Sequence, residues 1–219
     1  MTGLRTITVV GLGKIGLPLA VQYAGLGHRV IGADINPSVV TDVNAGVEPF
    51  PGEFDLAPRL RALVDAGTLT ATTSTAEAVG ASDAVVVVVP VAIDADGTPD
   101  FRHMEGALSD IAGSVRSGTV VSFETTVPMG TTRSRFAPAI EAASGLREGI
   151  DVFVVYSPER VLTGRVFADL RRYPKLVGAL SPAGAERAVE FYASVLEFDE
   201  RPDLPRPNGV WDLGSAEAA

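Results

Sequence analysis

The feature that most restricts this chain is Gly11-Leu12-Gly13-Lys14-Ile15-Gly16, a G-x-G-x-x-G pattern set between an apolar strand-like run, Thr6 to Val10, and a helix-forming run, Ile15 to Leu26. Arg29 to Asp34 follows as a second strand, so the chain opens on a βαβ unit. Gly11 permits the tight turn, Gly13 lets the backbone approach a pyrophosphate, and Gly16 lets the helix lie close to the strand. The helix N-terminus adds unpaired N–H groups and a positive dipole end. Asp34 closes the second strand at the distance expected of a carboxylate that accepts from ribose hydroxyls. A 2′-phosphate would meet that negative charge, so NAD is preferred over NADP. Lys14 sits beside the phosphates, either solvated or in direct contact.

The same alternation continues along the chain. Asn36 opens a helical run with Pro37 in its first turn, where the missing N–H costs nothing. Gly46 to Asp55 is a loop, Leu56 to Asp65 a helix, and Thr68 to Ala71 a short strand. The five valines Val85 to Val89 are a central strand covered on both faces. Asp94 to Asp100 is a surface excursion before a helix over Met104 to Ser114. Thr119 to Phe123 and Val152 to Tyr156 are buried strands flanking a helical segment that begins near Gly130. Leu176 and Val177 fall in a short strand candidate, and Pro182 to Leu196 is a helix. The whole predicts an α/β fold, a doubly wound and mostly parallel Rossmann-like sheet with helices on both faces and ligands at its carboxyl edge. Residues 1–200 are expected to form this dinucleotide-binding domain, and residues 201–219 a proline-bearing linker and the start of a truncated helix at Ser215.

Composition narrows the functional classes. A net charge of -9 leaves no basic surplus for a nucleic-acid backbone. The absence of cysteine removes disulfides, thiolate metal sites and a cysteine nucleophile from these residues, and two histidines do not build a metal cluster. His28 has an apolar, turn-like neighbourhood and His103 lies near a surface turn, so neither reads as a catalytic base. Ala84 to Val91 is too short to span a bilayer, and the N-terminus runs straight into a strand rather than a signal peptide. A cytoplasmic enzyme or enzyme fragment fits.

Two distal loops carry further chemistry. Glu124-Thr125-Thr126-Val127-Pro128-Met129-Gly130-Thr131-Thr132 follows a buried strand and offers hydroxyls at the sheet edge, where water or a nicotinamide can be held. A plain helix cap accounts for Thr131 more easily than for Thr125 and Thr126. Tyr156-Ser157-Pro158-Glu159-Arg160 follows the next strand; Glu159 suits a general base or water-orienting group and Arg160 an anion ligand. On the residues alone, a solvated surface pair explains Glu159 and Arg160 almost as well.

Taken in order, Gly11 to Ala20, Gly32-Ala33-Asp34-Ile35-Asn36, Thr125 to Thr132 and Ser157-Pro158-Glu159-Arg160 resemble the nucleotide-sugar 6-dehydrogenases, which act on UDP-glucose or UDP-N-acetylmannosamine. Lys14-Ile15 and Pro158-Glu159-Arg160-Val161-Leu162 look more like the UDP-N-acetylmannosamine branch. The resemblance implies two NAD-dependent oxidations of a UDP-sugar at C6, from alcohol to carboxylate, in the supply of polysaccharide precursors. It implies that Lys14, Ile15 and Pro90 join Gly11, Gly13, Gly16 and Asp34 in holding the cofactor, and that Thr126 holds the nicotinamide region and a catalytic water. It further implies that Glu159 assists hydrolysis and that Arg160 to Gly164, with Val161 and Leu162, line the sugar-nucleotide site.

The departures matter as much. The family's catalytic cysteine belongs to a later region and its lysine to a long central helix; Ser215-Ala216-Glu217-Ala218-Ala219 resembles the residues just before that lysine. Thr125 stands where serine is common, and Val91 where threonine is common. The expectation is therefore the NAD-binding portion of a longer enzyme, inactive alone for full turnover. A stand-alone NAD(H)-binding or interaction module is the alternative. Family dimers form through the central helical region, so these residues fit either a monomer or a homodimer.

Overall fold

In the computed structural model, which describes residues 5–219, the chain alternates strand and helix as its hydrophobic pattern requires. The first half runs β1 (Thr6–Val10), α1 (Gly16–Gly25), β2 (Arg29–Ala33), α2 (Pro37–Asn44), α3 (Leu56–Asp65), β3 (Leu69–Thr72), α4 (Thr75–Gly80) and β4 (Ala84–Val87). A hairpin, β5 (Ala92–Ile93) and β6 (Pro99–Asp100), precedes α5 (Arg102–Ser114) and β7 (Val120–Phe123). A π-helical turn, Thr132–Phe136, leads without a break into α6 (Ala137–Ser144). There follow β8 (Phe153–Tyr156), α7 (Val166–Arg172), β9 (Lys175–Ala179), α8 (Pro182–Val195) and β10 (Val210–Asp212).

Eight strands form one sheet in the order β10-β9-β8-β7-β4-β1-β2-β3. From β3 to β8 every pairing is parallel; β8 and β9 are antiparallel, and β10 runs parallel to β9. The order turns back between β1 and β4, the point where a doubly wound sheet opens a crevice at its carboxyl edge. Side chains divide by the period of two. Val86 and Val120 face a core with Leu17, Leu19 and Tyr23 of α1, Leu60 of α3 and Phe191 of α8. Val85, Val87, Val121 and Phe123 face a second core with Met104, Leu108 and Ile111 of α5 and Phe136 and Ile140 near α6.

Helix starts follow their caps. Asn36 accepts from Ser38 N–H with Pro37 just inside the helix, and Ser181 accepts from Gly184 N–H before Pro182 does the same for α8. Thr131 sits at the N-cap of the π-helical turn, but its hydroxyl donates back to Pro128 O at 2.6 Å and closes the preceding turn rather than capping the helix. His28 is structural, as its sequence context suggests: it is buried, its Nδ1 accepts from Arg5 N–H and its Nε2 lies 3.0 Å from Ser194 O.

Residues 201–209 form an irregular stretch, as expected of a linker, and the tail departs from expectation after them. Val210–Asp212 is the edge strand of the sheet, and beyond it Ser215 to Ala218 makes a single turn rather than a helix. The turn is docked: Ala216 is buried in the second core and Glu217 pairs with Arg133 at 2.8 Å. Gly178 of β9 makes room for it, since a Cβ there would stand 2.1 Å from Ser215 O. Among the described residues, no helix is long and apolar enough to cross a membrane, and no cluster of His, Cys, Asp and Glu suits a metal ion.

A cleft at the sheet edge with a buried charge cluster beside it

The glycine loop is built by contact as much as by conformation. Gly11 adopts φ 92°, donates to Ala33 O at 2.8 Å, and crosses β4 so closely that a Cβ would lie 3.1 Å from Val88 O. A Cβ on Gly16 would lie 1.8 Å from Gly11 O, so the first turn of α1 rests directly on the loop. Gly13 is exposed and has nothing within 4 Å of its missing side chain, which leaves its backbone open to a ligand. Asp34 ties the two strands' ends together: Oδ2 accepts from Leu12 N–H at 2.8 Å and Oδ1 from Asn36 N–H at 2.9 Å. Each oxygen keeps a lone pair for a hydroxyl donor.

These residues open on a cleft of about 720 Å³, within the roughly 300–1,000 Å³ usual for small-molecule sites. Gly11, Gly13, Asp34 and Pro90 line it, together with Val88, Val89 and Ile35. The run of valines ends as a strand at Val87, which frees Val88 and Val89 to become its wall. Its far side comes from α5, through His103, Gly106, Ser109 and Asp110, which sequence reasoning missed because small and polar residues on an amphipathic helix look like its solvent face. Lys14 is exposed, while Ile15 and Gly16 support the loop from the side of α1. An acid-lined, glycine-floored, apolar-walled cleft at the switch point fits a dinucleotide with a free ribose 2′-hydroxyl.

Thr126 and Glu159 lie three residues beyond the paired ends Phe123 and Tyr156 of neighbouring strands, so both loops emerge at the same edge. Thr126 is exposed, and Thr125 anchors the loop by donating to Val89 O at 2.7 Å. Glu159 is turned inward. Its Oε2 accepts from Lys175 Nζ at 2.8 Å, and its Oε1 from the Arg160 backbone N–H at 2.8 Å. The same ammonium donates to Glu124 Oε2 at 2.8 Å, and Glu124 Oε1 accepts from Tyr192 OH at 2.6 Å. Ser122 Oγ lies 2.6 Å from that phenol, and Tyr23 OH donates to Glu124 over 3.5 Å.

Burial sets the charges in this cluster. Desolvation pushes the Glu124 carboxyl up to about 7 against the pull of Lys175, with the Glu159 charge adding to the rise. For Glu159 burial also raises, but the Lys175 ammonium outweighs it and holds the carboxyl below the usual range. Burial alone would lower Lys175, and the two carboxylates overcome it to leave the amine raised. Tyr23 and Tyr192 are driven well up by burial and by the Glu124 charge. Neither Glu124 nor Lys175 was singled out from sequence as a site residue.

The loop that follows is stapled to the fold. Arg160 turns its guanidinium to Pro174 O, Leu162 N–H reaches Asp169 Oδ2 at 3.0 Å, and Val161 packs partly against the first core. Glu53, nine-tenths buried, accepts from Gly164 N–H at 2.6 Å and Val166 N–H at 2.7 Å, so a residue from the α2–α3 loop caps α7.

The chain is 35% identical over 191 residues to UDP-N-acetyl-D-mannosamine dehydrogenase of Pyrococcus horikoshii, covering 87% of this chain and 45% of that protein. It is 36% identical over 198 residues to the enzyme of the same name from Escherichia coli K12, covering 88% and 46%. The solved structure of the Pyrococcus horikoshii enzyme superposes with a TM-score of 0.87 at 31% identity, over 97% of this chain and 48% of that one. A ternary complex of GDP-mannose dehydrogenase from Pseudomonas aeruginosa gives 0.85 at 26% identity, over 96% and 46%. The chain thus spans about half the length of these relatives. With the model of the UDP-glucose/GDP-mannose dehydrogenase family, NAD binding domain, matching residues 5–196, the glycine loop, Asp34 and the cleft between them mark this chain as a member of that family.

Proposed function

We propose that this chain supplies the NAD-binding half of a nucleotide-sugar 6-dehydrogenase that oxidises the C6 alcohol of a UDP-N-acetylmannosamine-like sugar to a carboxylate. The observation that carries the reading is the cleft lined by Gly11, Gly13 and Asp34. Gly11, Gly13, Lys14, Ile15, Gly16, Asp34, Pro90 and Thr126 would hold the cofactor, with Asp34 receiving the adenosine ribose. Bound NAD supplies the hydride acceptor. The overall change consumes the alcohol, one water and two NAD and yields the acid, two NADH and the released protons.

In this reading Thr126 orients the reacting end and a water, and Glu159 directs that water in the final hydrolysis. Arg160, Val161, Leu162 and Gly164 form the loop offered to the sugar nucleotide, and Glu53 and Asp169 fix its backbone. The 219 residues contain no cysteine, so covalent trapping of an aldehyde would draw on residues outside them. Homologues named for UDP-N-acetyl-D-mannosamine favour that sugar, and a role in supplying polysaccharide precursors belongs to the same proposal. Pairing into a homodimer and a cytoplasmic place belong to the same reading.

The test is calorimetric titration of the chain with NAD and NADP, followed by incubation with NAD and a panel of UDP-sugars. Saturable NAD binding, weaker NADP binding and no acid product are expected. Absence of NAD binding refutes the cofactor site, and steady acid formation by these residues alone refutes the division of the active site.

A further inference from the structure

A charged cluster this deep is a poor way to hold a fold together. The side chains of Lys175, Glu124 and Glu159 are 5%, 0% and 11% exposed. Desolvating such groups offsets most of their attraction, and well-packed apolar residues of equal volume would stabilise as much or more. The cluster also has a direction. Glu124 and Lys175 are closed off, with Tyr23, Tyr192 and Ser122 behind them, and Glu159 is the member nearest the surface.

The antiparallel strand explains how it forms. Because β9 runs against β8, its first residue, Lys175, lies at the edge where β7 and β8 end. Extending the Tyr156–Gly178 register outward sets Ser157 against Val177, Glu159 against Lys175 and Arg160 against Pro174. The contacts agree: Ser157 Oγ donates to Leu176 O at 2.7 Å, Glu159 meets Lys175 at 2.8 Å, and Arg160 reaches Pro174 O. Lys175 Nζ also lies 4.8 Å from the Tyr192 ring centre, so each side of the ammonium is engaged. We infer that Lys175 is a positioning residue for Glu159, fixing the place and negative charge of its carboxylate at the carboxyl edge of the sheet, with Glu124 and Tyr192 holding the lysine from behind. The inference rests on the reading of Glu159 as the water-directing group.

The groups facing Glu159 from the surrounding elements are Lys175 of β9, Glu124 beyond β7, and Tyr23 of α1 and Tyr192 of α8 behind Glu124. Carbon-13 NMR of carboxyl-labelled glutamate in the intact chain reads both acids across pH, in wild type, Lys175→Arg and Lys175→Met. Glu159 is expected to titrate below the ordinary glutamate range in wild type, to stay low with arginine, and to move upward with methionine. An unmoved Glu159 in Lys175→Met, or arginine and methionine behaving alike, overturns the inference. If Lys175→Met does not fold, Glu159→Gln provides the second reading: removing its charge should move the Glu124 titration downward, and an unchanged Glu124 overturns the coupling. These titrations need no turnover. A chain that passes them but whose longer relatives' acid-forming step is insensitive to Glu159 would refute the proposed role of Glu159 and leave the lysine's control of its charge standing.

Discussion

Gly13→Ala and Gly16→Ala add the same methyl group three residues apart, and the structure assigns them opposite effects on stability. At Gly16 the new Cβ stands 1.8 Å from the Gly11 carbonyl oxygen, over an ångström inside the closest approach that real Cβ atoms make, and both partners are backbone. Helix α1 or the loop must shift bodily, an overpacking strain of about 1–3 kcal/mol or more. For a chain of this size that lowers the melting temperature by roughly 3–10 °C. The same shift would misalign the N–H groups proposed to face the pyrophosphate, so NAD affinity should fall as well. At Gly13 the methyl meets no atom within 4 Å, and the backbone is not in the positive-φ region. Reduced freedom of the unfolded chain then favours the variant by about 0.4–1 kcal/mol. On the proposed reading the methyl projects into the path of the dinucleotide, and NAD should bind at least about tenfold more weakly, or about 1.4 kcal/mol. Thermal melts without ligand and calorimetric titration with NAD separate the two effects. A Gly16→Ala chain that melts like wild type, or a Gly13→Ala chain that binds NAD with full affinity, refutes the reasoning.

Three further outcomes are expected. Asp34→Ala should lower NAD affinity by about tenfold or more and narrow the preference over NADP, checked by titrating both; equal binding of NAD by variant and wild type counts against the ribose contact. Glu53→Ala strips acceptors from the Gly164 and Val166 N–H groups at once, and urea unfolding should show a loss of about 2–4 kcal/mol with faster hydrogen exchange at both amides. Glu124 has a folded pKa of about 7, above the ordinary value of about 4.3, so its contribution is fully present below the ordinary value and lost as pH rises toward 7. The melting temperature of wild type relative to Glu124→Gln should therefore fall as pH is raised through that window, and a difference that stays constant with pH is the contrary result.

Much of the fold was legible because its signals are local. The β1–α1–β2 unit, the Asn36-Pro37 helix start and the valine-rich central strand each declare themselves through residues adjacent in the chain. Val210–Asp212 did not, since a three-residue strand between Gly209 and Leu213 shows no periodicity and exists only because β9 offers it an edge. The direction of β9 was equally hidden: Lys175–Ala179 has the same apolar composition whichever way it pairs.

That direction separates the cleft from the buried charge cluster. Sequence by itself determined the glycine loop, because turn geometry and close helix packing demand particular residue types at fixed short spacings: Gly11 and Gly16 sit where a Cβ would strike backbone, and Gly11, Gly13 and Asp34 line one cleft. It also identified Thr126 and Glu159 as residues at a strand edge. Only tertiary structure decided what Glu159 touches. Lys175 is 16 residues from it and Glu124 is 51 residues from Lys175, and no local pattern encodes a contact made by an antiparallel strand returning to the carboxyl edge. Burial, which comes with the packing of α1 and α8 over that edge, then turns three ordinary charged residues into one coupled group.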